Sequence, residues 1–175
     1  MKALDEALKL IGAKRGMFGD HLDRLESCRM RVKPNWRCLL PKFSTTTGPK
    51  TIWLASGVRS WHPESIQAML CHESVHLEQW RHLGRSSFAL KYAQRDGRLE
   101  MEIDALRANV WWHMQAGRGS RLSARGKVVL SGWMKAWIDR VAESFGASYY
   151  MGKGFDSGRL REALHGHVWG YLSRG

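Results

Sequence analysis

The chain reads as a predominantly helical α+β protein with a small sheet ahead of its central helix. Two observations predict this. In the second half, apolar residues recur at helical spacing, with Leu99, Ile103, Leu106, Val110 and Met114 on one stripe. Between Arg29 and Val58 the pattern is different, because Pro34, Pro41 and Pro49 exclude a long helix. There Thr45-Thr46-Thr47-Gly48-Pro49 reads as a turn, and the flanking runs Trp36 to Phe43 and Thr51 to Val58 read as the strands of a hairpin.

The remaining elements follow in order. Leu4, Ala7, Leu8 and Ile11 have helical spacing over Lys2 to Ile11, and His21 to Cys28 suits a further turn or two of helix. Ser60-Trp61-His62-Pro63-Glu64 reads as a helix start, with Pro63 tolerated in the first turn and Glu64 facing the positive end of the dipole. That helix should run to about His82 and end near Gly84, with a second over part of Ser86 to Gln94, broken by Gly97. A third should cover Arg98 to Met114. Gly117 to Gly126 reads as a Gly- and Arg-rich loop, and Lys127 to Phe145 and Ser157 to Leu172 as helices.

The bulk properties bound the function. A length of 175 residues suits one domain with one core. With 43% apolar and 25% charged residues, no run long enough for a membrane span and no uninterrupted apolar leader at Met1 to Leu8, the chain reads as soluble. Three cysteines, Cys28, Cys38 and Cys71, make neither a disulfide framework nor a Cys-x-x-Cys metal pair, and Cys71 reads as a small core residue. The net charge of +12 suits an anionic partner such as nucleic acid. The Lys and Arg residues are scattered, though, and the tightest groups are Lys14-Arg15, Arg29 to Lys33 and Arg118 to Lys127. Most of the nine tryptophans read as core.

One constellation carries chemistry: His72-Glu73-Ser74-Val75-His76. Histidines four apart on a helix share a face one turn apart, and their nitrogens can bind one Zn²⁺. Glu73 then sits beside the ion, placed to take a proton from a water the ion activates and pass it to a leaving amine. Chance supplies such a pattern with a probability on the order of a few per cent, so its surroundings matter. Ile66, Met69, Leu70, Val75 and Leu77 make this a buried helix. Two histidines and a glutamate buried there without a metal would carry a large desolvation cost. The Thr51 to Val58 strand lies just upstream, where enzymes of this kind keep the strand that pairs with an extended peptide.

A catalytic zinc needs a third protein ligand. In Arg98-Leu99-Glu100-Met101-Glu102-Ile103-Asp104-Ala105 the chain resembles the gluzincins, a branch of the zincin metallopeptidases whose second motif is a glutamate ligand with an aspartate four residues later. The resemblance covers about Thr51 to Met114. It implies a zincin-like domain over residues 1–175, with zinc on His72, His76 and Glu100, Glu73 as general base, and Asp104 bonded to a ligand histidine. Glu102 is the rival ligand, since Glu100 and Glu102 flank the apolar stripe about equally on opposite sides; the aspartate at i+4 favours Glu100. His82 is a second rival through the spacing His72, His76, His82, but the glycine that this pattern needs is replaced by Gln79, and His82 points away from the metal on a continuous helix. Tyr149, Tyr150, His113, His165 and His167 are candidates for the electrophile that zincins use at the oxyanion.

With Gln79 three residues after His76, the pair of motifs is also similar to compact metallopeptidase-like proteins of bacterial and tailed-phage genomes. That likeness implies a peptide or protein substrate, peptidoglycan peptide included, and a place in the cytoplasm or in a virion. Two other expectations stand beside it. One is a non-enzymatic zincin-like component of a phage virion or other assembly. The other is a basic protease acting on proteins bound to nucleic acid.

Overall fold

The computed structural model describes residues 15–32, 45–48, 50–54, 62–122, 128–147 and 156–173. It is predominantly helical with a small sheet, the class that the patterning predicts. The expected helix over Lys2 to Ile11, strand over Trp36 to Phe43 and loop over Tyr149 to Gly154 lie outside the described residues. Contacts along the chain group it into two compact units, Met1–Lys91 and Tyr92–Gly175.

In the first unit, a 3₁₀ stretch Arg15–His21 passes into the short helix α1, Leu22–Glu26. Strands β1 (Arg29–Val32), β2 (Thr45–Gly48) and β3 (Thr51–Leu54) follow. They form one sheet in the order β1-β3-β2. β1 runs parallel to β3, with Met30 opposite Ile52; β2 runs antiparallel to it, with Thr46 opposite Ile52. The Thr-rich run expected as a turn is thus a strand, paired antiparallel with β3. Three β-branched residues in a row favour the extended backbone.

β3 alternates as a strand over a core should, with Ile52 and Leu54 buried and Thr51 and Trp53 half-buried. It is also the middle strand of the sheet. Over Thr51–Leu54 both of its edges are hydrogen-bonded, to β1 and to β2, so an extended peptide finds no open edge there; residues 55–58 of the expected strand lie outside the described residues.

Helix α2, Pro63–Ala93, begins where expected. Gly84 interrupts it with φ 72° and ψ 170°, a backbone region that is essentially glycine's alone. The break near Gly84 and the second helical stretch beyond it are as predicted. Across the break the rings of Trp80 and Phe88 stack, with centroids 4.2 Å apart. Leu70, Cys71 and Leu77 are fully buried along its apolar side.

The second unit holds α3 (Arg95–Gln115), β4 (Ser120–Leu122), β5 (Val128–Leu130), α4 (Gly132–Ala147) and α5 (Ser157–Leu172). Gly97 does not break the chain as expected, because it falls in the first turn of α3. There its amide needs no helical acceptor. α3 ends just before Gly117, whose φ of 73° is the left-handed stop common after helices.

The loop expected over Gly117 to Gly126 and the helix expected from Lys127 are partly replaced by the antiparallel pair β4–β5, with Arg121 opposite Val129. Val128-Val129-Leu130 takes the strand that β-branched residues favour. α4 then starts after Ser131, whose Oγ accepts the Met134 N–H at 3.0 Å. Three stripes build the core of this unit: Leu99, Ile103, Leu106 and Val110 of α3; Met134, Ile138 and Ala142 of α4; Leu160, Leu164 and Val168 of α5. Arg161 ties α5 to Asp139 of α4 at 2.8 Å. No helix among the described residues is long and apolar enough to cross a membrane.

Candidate metal centre

His72 and His76 occupy successive turns of α2. His76 is 5% exposed, and His72 is half-buried. Their Nε2 atoms stand 3.2 Å apart, with the rings edge to face at 79°. Two nitrogens bound to one tetrahedral zinc at about 2.0–2.1 Å are about 3.3–3.4 Å apart. The observed separation is therefore close to the edge of that tetrahedron.

The tautomer of His76 follows from its other nitrogen. Gln79 Oε1 lies 2.8 Å from Nδ1 and can only accept, so Nδ1 carries the proton. In the neutral ring, Nε2 then presents a bare lone pair towards His72. A lone pair aimed at a second imidazole nitrogen is stabilised by a proton or by a shared cation. The donor set fits a metal ion.

α3 decides which glutamate joins them. At about 100° per residue, Glu100, Asp104, Arg107 and Gln115 fall on one face, and Glu102 lies about 200° round from Glu100. The first face is solvated. Glu100 is exposed and 3.8 Å from Arg159, and Asp104 is exposed and 3.0 Å from Arg107. Glu102 is 4% exposed, and its Oε1 accepts a hydrogen bond from Tyr92 Oη at 2.6 Å.

His72, His76 and Glu102 form a buried to half-buried group whose ligand atoms all lie within 4.8 Å of one another, and which can hold a metal ion. The structure thus gathers Glu102 with the histidines and leaves Glu100 and Asp104 apart from them. The residue four places after Glu102 is Leu106, so the glutamate in the group has no aspartate at i+4. Gln79 and Tyr92 bond to members of the group instead. Glu73 is 4% exposed and is not one of the three.

The back of the helix is anchored within the first unit. Ser74 is fully buried; its Oγ donates to the Cys71 carbonyl at 2.7 Å and lies 2.8 Å from His21 Nδ1. Arg24 approaches the same nitrogen at 3.1 Å and pairs with Glu78. Burial, and then the Arg24 charge, hold the His21 pKa below its usual value. Cys71 belongs to this packed face: it is fully buried, and burial pushes its thiol up to about 12.

The other candidates sit elsewhere. His82 is exposed and 3.5 Å from Glu78, away from the ligand face. His113 is buried, with its ring edge-on to those of Trp112, Trp133 and Trp137. His165 and His167 join no metal-binding group among the described residues. Tyr149 and Tyr150 lie outside them. Of the basic groups, Arg29 and Arg31 are exposed on β1, and Arg118 lies over the Trp133 ring at 5.6 Å.

No protein-family model, curated protein or solved structure matches this chain.

Glu102 was within reach of the sequence. Beside Leu99-Ile103-Leu106-Val110 runs a second apolar stripe, Met101-Ala105-Ala108-Trp112, all buried. Taken together, the two stripes widen the buried arc until Glu102 lies inside it and Glu100 lies at the centre of what remains.

Proposed function

We propose that the protein is a zinc-dependent hydrolase, a metallopeptidase, with His72, His76 and Glu102 as zinc ligands and Glu73 as general base. The observation that carries this reading is the 3.2 Å approach of two Nε2 atoms, one of them made a bare acceptor by Gln79. Two imidazoles and one carboxylate are a donor set that suits zinc and leaves a position open.

A zinc ion held there supplies a Lewis acid that polarises the scissile carbonyl. The chain's own residues do the rest. Glu73 accepts the proton of the attacking water and delivers it to the leaving amine. Gln79 holds His76 in the tautomer that leaves Nε2 bare. The substrate class, a peptide of a protein or of peptidoglycan, rests on the resemblance of His72 to His76 to the zincin motif.

The test is Glu73→Gln. The variant should keep one zinc per chain and lose peptide hydrolysis by at least about 100-fold; full activity would refute the role of Glu73.

A second reading is a metal site that stabilises the fold without hydrolysis. It is favoured by the central position of β3, whose edges are both occupied. Under it, chelation lowers the melting temperature, and wild type and Glu73→Gln are equally inactive on peptides.

A further inference from the structure

Glu102 is a carboxylate held almost out of solvent, and one of its two oxygens is already committed. Tyr92 Oη donates to Oε1 at 2.6 Å, the length of a strong bond to a charged acceptor. The Tyr92 ring in turn carries the Arg98 guanidinium, whose Cζ is 4.7 Å from the ring centroid. A cation over the ring draws density from the phenol and sharpens its hydroxyl as a donor.

Tyr92, Arg98 and Glu102 thus form a short relay within the second unit, with its acceptor end at Oε1. The other ligand with an assigned outer partner, His76, is held by the Gln79 amide. Both of these outer partners are neutral. An aspartate, which the resemblance would place in that outer layer, would add a negative charge.

We propose that Tyr92 is a positioning residue of the metal centre: by occupying Oε1 it fixes the carboxylate of Glu102 and presents Oε2 to the cation. This inference rests on the zinc reading above. With the hydroxyl removed, the carboxylate is free to rotate or to offer both oxygens, and the site is no longer preset for the ion.

The experiment is a zinc competition titration of wild type, Tyr92→Phe, Glu102→Gln and Arg98→Met. It is run at a temperature where circular dichroism shows every apo protein folded. The visible spectrum of each cobalt-loaded protein is recorded alongside.

Tyr92→Phe should bind zinc about 10- to 100-fold more weakly, the usual effect of losing an outer hydrogen bond to a ligand. Its cobalt spectrum should differ from wild type in band position and intensity, a change that a merely structural role would not produce. Arg98→Met, which keeps the hydroxyl but removes the cation over its ring, should shift the cobalt spectrum in the same direction as Tyr92→Phe and by less. If wild type binds zinc and Glu102→Gln weakens it, but Tyr92→Phe matches wild type in affinity and spectrum, the role of Tyr92 is overturned and the zinc reading stands. If wild type binds no zinc, the zinc reading falls and this inference falls with it.

Discussion

The Nε2 atoms of His72 and His76 face each other 3.2 Å apart on successive turns of one helix. Gln79 removes the option of a proton on the His76 Nε2 in the neutral ring. A cation shared between the two nitrogens satisfies both, as does a proton that His72 Nε2 donates to His76. Zinc should therefore raise the melting temperature of the protein, because an ion that binds only the folded state stabilises it by about 2.7 kcal/mol at 100 times its Kd. Thermal scans with zinc and with a chelator check this. His72→Ala and His76→Ala should each abolish the difference; a wild-type melting curve indifferent to both additions would count against a metal site.

Glu100 and Glu102 are two residues apart and should behave oppositely. Glu102→Gln removes a ligand and leaves Tyr92 Oη facing an amide. Zinc affinity should drop by about 100-fold or more, beyond the loss expected for an outer partner. Glu100→Gln alters an exposed side chain 3.8 Å from Arg159 and should leave zinc affinity unchanged. Its effect on stability should stay within about 0.5 kcal/mol. Isothermal titration of both variants decides between them, and the reverse order of effects would restore Glu100 as ligand.

His21 should make stability fall in mild acid. Its pKa is held down, first by burial and then by Arg24, so the unfolded chain takes up a proton more readily than the folded one. Stability from this group is then fully present above the unfolded histidine value near 6.5. It is lost as pH falls from there through the lower folded value. Urea midpoints measured between about pH 7.5 and 5 should decline in wild type. They should decline less in His21→Gln, which can still bond Ser74 but does not titrate.

The second unit should depend on its three-stripe core. Leu164 is fully buried among residues of α3 and α4, and Leu164→Ala should cost about 2–5 kcal/mol. Trp169, five residues on, is 54% exposed, and Trp169→Ala should cost far less, within about 1 kcal/mol. Denaturant unfolding of the two variants gives the comparison directly.

Much of the fold could be read from periodicity and punctuation. The stripe Leu99-Ile103-Leu106-Val110 located α3, Ser157 to Leu172 matched α5, and Gly84 marked the interruption of α2. Short apolar runs were harder. Val128-Val129-Leu130 fits the start of a helix as well as a strand, and only its pairing with Ser120 to Leu122 separates the two. The Thr-rich run at Thr45 has the Gly48-Pro49 ending of a turn, yet its β-branched residues extend the strand up to Gly48.

In the group that can hold a metal, His72 and His76 followed from spacing alone. The third member did not, because the pair Glu100 and Asp104 imitates a ligand with its orienting acid. On α3 the same pair is an ordinary solvated face continued by Arg107. The polar partners of the site, Tyr92 and Gln79, come from the end of α2 and from one turn beyond His76. Tyr92 in particular meets Glu102 ten residues away, through a tertiary contact that no local spacing encodes.

The most direct measurement is a crystal structure of the zinc-loaded protein with anomalous data collected on both sides of the zinc edge. The account predicts one strong anomalous peak bonded to His72 Nε2, His76 Nε2 and a carboxylate oxygen of Glu102, with Glu73 close by but not ligating. A peak coordinated by Glu100 or His82, or no peak at the two histidines, would contradict it.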